Sequence, residues 1–312
     1  MENKHGLRWI ATRTVALTIV SFGVFLGISP SLQSATLYTV TSANKVLAYD
    51  TTNMAAGYTV FIDGGSGIPS PQGIAGNGGN FYIASYDGSR VVEYNSVGTG
   101  VQNILSTRPA GLAFSGGKMY VANNAGNEVN IFSSSFALEL SFGSSYLNAP
   151  SGVYADSGNV YVTNSASGIN TIIKFDLAGN YVSTISAAGL SRPNWITADS
   201  IGNFYVSNYQ GGGGTVTKYD SSWNLLMTIG SGTLSSSQGV VVDELGNIFV
   251  SNGASGISVF NSAGSFVGSY ATEGSPVGLL LVPEPSAIYL LLGAVAGFVF
   301  LKRRGVRGGI SR

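Results

Sequence analysis

Pro150-Ser151-Gly152-Val153-Tyr154-Ala155-Asp156-Ser157-Gly158-Asn159-Val160-Tyr161-Val162-Thr163-Asn164 reads as a strand, a tight turn and a second strand. Val and Tyr fit a pleated, half-buried surface. The turn between them holds Asp156, Gly158 and Asn159. Glycine reaches positive φ without a Cβ clash, and Asp and Asn bond their own backbone. Two more apolar runs follow, Thr171 to Phe175 and Tyr181 to Ile185, separated by Asp176-Leu177-Ala178-Gly179-Asn180. The unit is therefore four short strands, a to d: Gly152 to Ala155, Val160 to Thr163, Thr171 to Phe175 and Tyr181 to Ile185.

The same unit recurs along the chain. Strand a opens at Pro71-Gln72-Gly73, Pro109-Ala110-Gly111, Pro150-Ser151-Gly152, Pro193-Asn194-Trp195, Ser237-Gln238-Gly239 and Pro276-Val277-Gly278. The third positions lie 38, 41, 43, 44 and 39 residues apart. Two aromatic series keep the same period: Tyr38, Tyr82, Tyr120, Tyr161, Tyr205 and Phe249, then Tyr49, Tyr94, Phe132, Phe175, Tyr219 and Phe260. Four strands repeated at such a period are the signature of a β-propeller. The reading is all-β, with six blades. The first unit, from Leu37 to about Asp63, lacks strand a, and the fragment Pro276 to Val282 is a strand a with nothing after it. Pairing the two closes the ring and removes two open edges. The pattern resembles NHL-repeat propellers: their Gly-apolar-Ala-x-Asp-x-x-Gly-Asn-apolar-Tyr-Val run matches Gly152 to Val162 and Trp195 to Val206. Here strand b ends in Asn where many NHL repeats carry Asp.

The composition fits this reading. Glycine is 44 of 312 residues, which the turns account for, and only 10% of residues are charged. With no cysteine, disulfide frameworks, thiol nucleophiles and Cys-ligated metals are excluded. The net charge of zero divides into +2 over 1–35, −7 over 36–285 and +5 over 286–312. No basic excess points to nucleic acid as a partner.

Both basic ends read as targeting segments. Lys4 to Arg13 precede an apolar run from Val15 to Ile28, then Pro30. That run has the length of a secretory h-region and falls short of a span. Residues 1–35 are thus expected to be a signal peptide with a signal helix, cleaved after Ala35. At the other end, Pro283-Glu284-Pro285 is followed by an apolar segment, 286–301, and then by Lys302-Arg303-Arg304. A transmembrane helix with a cytoplasmic basic stop is expected there. The tail, 283–312, resembles the PEP-CTERM sorting signal. That resemblance implies export across the inner membrane and processing by the membrane protease exosortase in certain Gram-negative bacteria. It also implies a transient membrane anchor, an eventual place at the cell surface or outside, and often a link to exopolysaccharide or biofilm. The propeller is then 36–282.

In a propeller the b–c and d–a loops share the face where ligands usually bind. Asn123, Asn164, Asn208 and Asn252 end strands b on that face, with Thr41 and Ser85 in the equivalent places. Arg108 and Arg192 precede the Pro of strand a. Trp195 replaces a glycine and is expected at the channel mouth. Amides, two guanidinium groups and an indole suit a sugar or a carboxylated polymer. The same amides also suit the capping of b–c loops through backbone bonds. Asp50, Asp156, Asp176, Asp199, Asp220 and Asp243 fall in turns of the opposite face, spread round the ring. That spread offers no close carboxylate pair, and no metal site or cofactor is expected.

The NHL resemblance also brings in enzymes, the gluconolactonase-like hydrolases and streptogramin-lyase-like lyases. The lyase-type chemistry relies on histidine, and the single histidine, His5, lies in the signal segment. A metal-dependent, gluconolactonase-like hydrolase remains the alternative, with Asp63, Asp87, Glu128 and Glu273 as the acids of the ligand face. The leading expectation is an exported binding or structural module, with exosortase and exopolysaccharide as partners.

Overall fold

The computed structural model describes residues 34–65, 67–209 and 213–283. The expected signal helix and the tail from Glu284 onward, with its helix at 286–301, lie outside the described residues. Among the described residues no helix is long and apolar enough to cross a membrane.

The chain builds strands almost without interruption. The first unit supplies β1 (Ala35–Thr41), β2 (Lys45–Asp50) and β3 (Thr59–Asp63). The second supplies β4 (Pro71–Asn77), β5 (Asn80–Ser85), β6 (Arg90–Tyr94) and β7 (Gly100–Leu105). The third has β8 (Pro109–Ser115), β9 (Lys118–Asn123), β10 (Glu128–Phe132) and β11 (Leu138–Phe142). The fourth has β12 (Pro150–Ala155), β13 (Asn159–Asn164), β14 (Thr171–Asp176) and β15 (Tyr181–Ile185). The fifth has β16 (Pro193–Ala198), β17 (Phe204–Asn208), β18 (Gly214–Tyr219) and β19 (Leu225–Leu234). The sixth has β20 (Ser237–Val242), β21 (Ile248–Asn252), β22 (Ile257–Phe260) and β23 (Phe266–Tyr270), and β24 (Pro276–Pro283) ends the domain.

These strands form six antiparallel four-stranded sheets, and blade 1 runs β24-β1-β2-β3. Closure is therefore as the sequence indicates: Thr36 faces Val282, Leu37 faces Leu281, Tyr38 faces Leu280 and Thr39 faces Leu279. Ala35 faces Pro283, so the folded unit takes in one residue more at each end than 36–282. The inner strands touch in a circuit, β4, β8, β12, β16, β20, β24 and back to β4. The ring thus closes within residues 35–283.

Glycine at the third position of strand a is a packing requirement. A methyl group on Gly111 would collide with the Ser151 carbonyl of the next blade, and one on Gly152 would lie 2.8 Å from the Asn194 carbonyl oxygen. A bulge accompanies this approach: Pro150 faces Asn164, but Val153 faces Val162. The bulge takes the Gly152 N–H out of the ladder, and Thr163 Oγ1 accepts it at 2.8 Å. That hydroxyl donates onward to the Asn194 carbonyl at 2.8 Å. Ser207 does the same one blade on, accepting from the Trp195 N–H and donating to the Gln238 carbonyl. Buried hydroxyls thus satisfy displaced donors and tie neighbouring inner strands together.

Each seam between adjacent blades holds its own apolar cluster. The second aromatic series lies in these clusters, with Tyr49, Phe175, Tyr219 and Phe260 at most 1% exposed. Burial pushes the Tyr82 and Tyr161 phenols up to about 12.

Candidate functional site

Strand a descends from, and strand b rises to, the face that carries the b–c and d–a loops, here the upper face. Asn123, Asn164, Asn208 and Asn252 end strands b there, but their side chains are turned inward, at 5%, 2%, 1% and 1% exposure. Asn164 Oδ1 accepts the Asn148 N–H at 2.9 Å, and its Nδ2 donates to the Tyr146 carbonyl and Thr171 Oγ1, both at 3.1 Å. Asn208 accepts from Ser191, and Asn252 accepts from Ser235 and Ser236. Asn123 accepts from Gly126 and donates to Glu128 Oε1. Of the two roles these four amides suit, the contacts are those of capping: they clamp the upper loops, with their hydrogen bonds made internally.

Trp195 is placed differently from expectation. It is 7% exposed and lies in the channel, not at its mouth. Its Cη2 comes within 3.2 Å of where a Cβ on Gly73 would sit. Gly73 belongs to blade 2 and Trp195 to blade 5, three blades apart in a six-blade ring. The indole therefore crosses the channel and stops it. The third residue of strand a points to the axis, and a side chain there has nowhere else to go.

Arg108 and Arg192 do lie on the upper face. Both hold positive φ, 43° and 51°, directly before proline. Ser70 and Ala149 hold the same conformation at the same place, φ 50° and 49°. The strain belongs to the fold at these positions, where proline disfavours the right-handed helical region. The Arg108 guanidinium lies 5.3 Å from the centroid of the Tyr86 ring. That of Arg192 lies 5.0 Å from Tyr209, and its Nε donates to the Ser165 carbonyl at 3.0 Å. Neither arginine forms an ion pair among the described residues.

Tyr86, Asn124, Ser165 and Tyr209 were not singled out from sequence. Each is the first residue after strand b, one position past the polar series that drew attention. They link the inner rim of the face. Tyr86 Oη donates to Asn124 Oδ1 at 3.0 Å, Asn124 Nδ2 to the Pro150 carbonyl at 3.0 Å, and Ser165 Oγ to the Pro193 carbonyl at 2.7 Å.

Three of the four acids of this face are engaged separately, while Asp63 is exposed at the end of β3. Glu273 pairs with Lys45 at 2.6 Å, Asp87 accepts from Ser70 Oγ, and Glu128 accepts from Asn123. Among the described residues no three of His, Cys, Asp and Glu come together as metal ligands could. On the lower face two shallow clefts of about 160 and 480 Å³ flank the end of β24, and Pro283 lines both.

Lower-face aspartates are among the carboxyls whose ionised form the fold favours. Side-chain and backbone donors of Asn180 and Asn224 hold Asp176 and Asp220 below the ordinary carboxylate value, and Thr52 does the same for Asp50. Burial pushes Asp199 up, but donors from Asn203 and Ile201 together with Lys218 outweigh it and leave it lowered. Groups depressed in the folded state stabilise it fully above their unfolded value, and that contribution is lost as pH falls through the folded value. The described domain has no histidine to titrate near neutrality. Calorimetry should give a melting temperature flat between about pH 5 and 8 that falls below about pH 4. A transition centred near pH 6 would contradict this assignment.

No protein-family model matches the chain, and no curated protein matches it in sequence. Solved structures match the fold. A chain of the nidogen/laminin complex superposes with TM-score 0.69 at 12% identity, covering 80% of this chain and 98% of its own. Virginiamycin B lyase from Staphylococcus aureus gives 0.53 at 16% identity, covering 68% and 77%. A streptogramin B lyase gives 0.58 at 11% identity, covering 81% and 88%. At such identities the likeness is one of fold alone, and function must be argued from the residues.

Proposed function

We propose that the chain is an exported propeller, brought to the cell surface by its two ends, that works by binding an extracellular polysaccharide through its upper face. The observation that carries this reading is where the ends of the domain lie. Ala35 and Pro283 face each other at the lower end of blade 1. Residues 1–34 and 284–312 therefore join the domain at one point. A PEP-CTERM-like tail would start there, at the end of blade 1 opposite the face that carries the b–c and d–a loops. Exosortase processing of the tail is part of the proposal.

The fold neighbours do not choose between binding and catalysis, since one sits in a complex with another protein and two are lyases. The residues favour binding. Of the four upper-face acids, Glu273, Asp87 and Glu128 are held by Lys45, Ser70 and Asn123, and among the described residues no three metal-ligating side chains come together, which disfavours the hydrolase alternative.

Fractionation of the producing cells tests the proposal. The chain is expected in the envelope or matrix, and a chain ending at Pro283 in the medium. Without exosortase the uncleaved form should collect at the inner membrane. The purified propeller should be retained on the cells' own exopolysaccharide. Recovery from the cytoplasm, or no retention, would refute the reading.

A further inference from the structure

We infer that the polymer is carboxylated, a polyuronate gripped by Arg108 and Arg192. This rests on the polysaccharide-binding reading and narrows it to a class of ligand.

The two arginines occupy equivalent places, each at the junction where strand a begins, two junctions apart. Each guanidinium lies over a tyrosine ring, Arg108 over Tyr86 and Arg192 over Tyr209. Contact with the ring face restrains the planar guanidinium fork of each arginine. That planar fork matches the two oxygens of a carboxylate, and less freedom is lost when the pair forms. The Arg108 side chain makes no hydrogen bond within the described residues, and that of Arg192 uses Nε alone. The remaining guanidinium donors are thus unclaimed among the described residues.

The surroundings favour a chain-like ligand. The junction between the two arginines holds Ala149, too small to obstruct a polymer passing from one to the other. A polymer with repeated carboxylates engages both sites at once, whereas a monomer reaches one at a time. The attraction is local. The domain is acidic overall, but Asp156, Asp176, Asp199, Asp220 and Asp243 accept bonds in turns of the lower face, and the upper-face Asp87, Glu128 and Glu273 accept from Ser70, Asn123 and Lys45. An acidic peptide is the weaker candidate, because the upper face presents loop ends and no free strand edge for a peptide backbone to join.

The test uses residues 34–283, within which the ring closes, because the basic ends would bind a polyanion by themselves. Calorimetric titration compares polygalacturonate, its carboxyl-reduced form, monomeric galacturonate and polyglutamate. The variants are Arg108→Gly, Arg192→Gly, the double variant and Ala149→Arg. Glycine suits the positive φ at 108 and 192, so these chains should keep or gain thermal stability while losing the side chain. Polygalacturonate is expected to bind, the monomer weakly and the reduced polymer not at all. Each arginine variant should weaken binding about tenfold or more, the double variant should abolish it, and Ala149→Arg should tighten it. Equal binding of the reduced polymer would overturn the carboxylate inference and leave the polysaccharide reading standing. So would binding that survives in the double variant. Binding of polyglutamate alone, with no retention on any polysaccharide, would overturn both.

Discussion

Ending the chain at Ser275 is expected to abolish cooperative unfolding of the propeller, although it removes one strand of twenty-four. β24 is the inner strand of blade 1 and also touches β20 and β4, the inner strands on either side. Val277 and Leu279 are buried, at 9% and 2% exposure. Leu280 and Val282 pack against the cluster of blades 1 and 2, and Leu281 against that of blades 6 and 1. A fully buried apolar side chain contributes about 1.5–3 kcal/mol. Five such groups, three of them partly buried, amount to roughly 5–10 kcal/mol. A whole domain is stable by about 5–15 kcal/mol. The loss is therefore of the same size as the stability itself. It also strips β1 of its partner, and the run Leu37-Tyr38-Thr39-Val40 would present a bare apolar edge, which invites pairing with another chain. Urea titrations followed by tryptophan fluorescence, with sedimentation for association, compare chains 34–275 and 34–283. A monomer with a sharp transition at the same midpoint would show that the ring does not depend on this closure.

The repeat made the architecture legible because every blade must solve the same packing problem. An aromatic in strand c had to fill each seam, so Tyr49, Phe175 and Phe260 recurred at one spacing, and the orphan strand at Pro276 could be matched to the incomplete first unit. The same logic explains the polar series of the upper face. Asn164, Asn208 and Asn252 recurred because each clamps the upper loop of its own blade, and recurrence in a repeat marks what the fold uses. A ligand does not need every blade. Residues that break the repeat, such as Arg108 and Arg192 where Ala149 stands between them, are better candidates for contact. Tyr86 and Tyr209 could have been found on that ground, as large side chains where other blades have Asn124 and Ser165. Trp195 also broke the repeat, but its direction depends on how closely the six inner strands approach the axis. The local sequence around it does not record that distance.

Trp195→Gly gives this position the residue found in the other five blades, and should nevertheless cost about 3 kcal/mol. Truncating a buried tryptophan typically costs about 3–5 kcal/mol, and glycine in a strand adds about 0.5–1 kcal/mol through its unfolded-state freedom. The low end is expected, because the space exposed is lined by inner strands whose polar backbone groups can take up water. In a domain of this size the melting temperature should fall by roughly 6–12 °C. Scanning calorimetry of the variant checks this, and an unchanged midpoint would mean that the indole fills no essential space. Polymer binding separates the two roles that tryptophan could have. Arg192 lies at the start of the inner strand and Trp195 three residues further in, so a polyuronate held at the rim does not meet the indole. Measured well below the melting temperature, binding by Trp195→Gly should equal that of the parent chain. If binding were lost with the plug, Trp195 would itself be a ligand contact and the channel would be part of the site. If it is kept, the channel is structural, and recognition belongs to the rim, where Arg108 and Arg192 stand over Tyr86 and Tyr209.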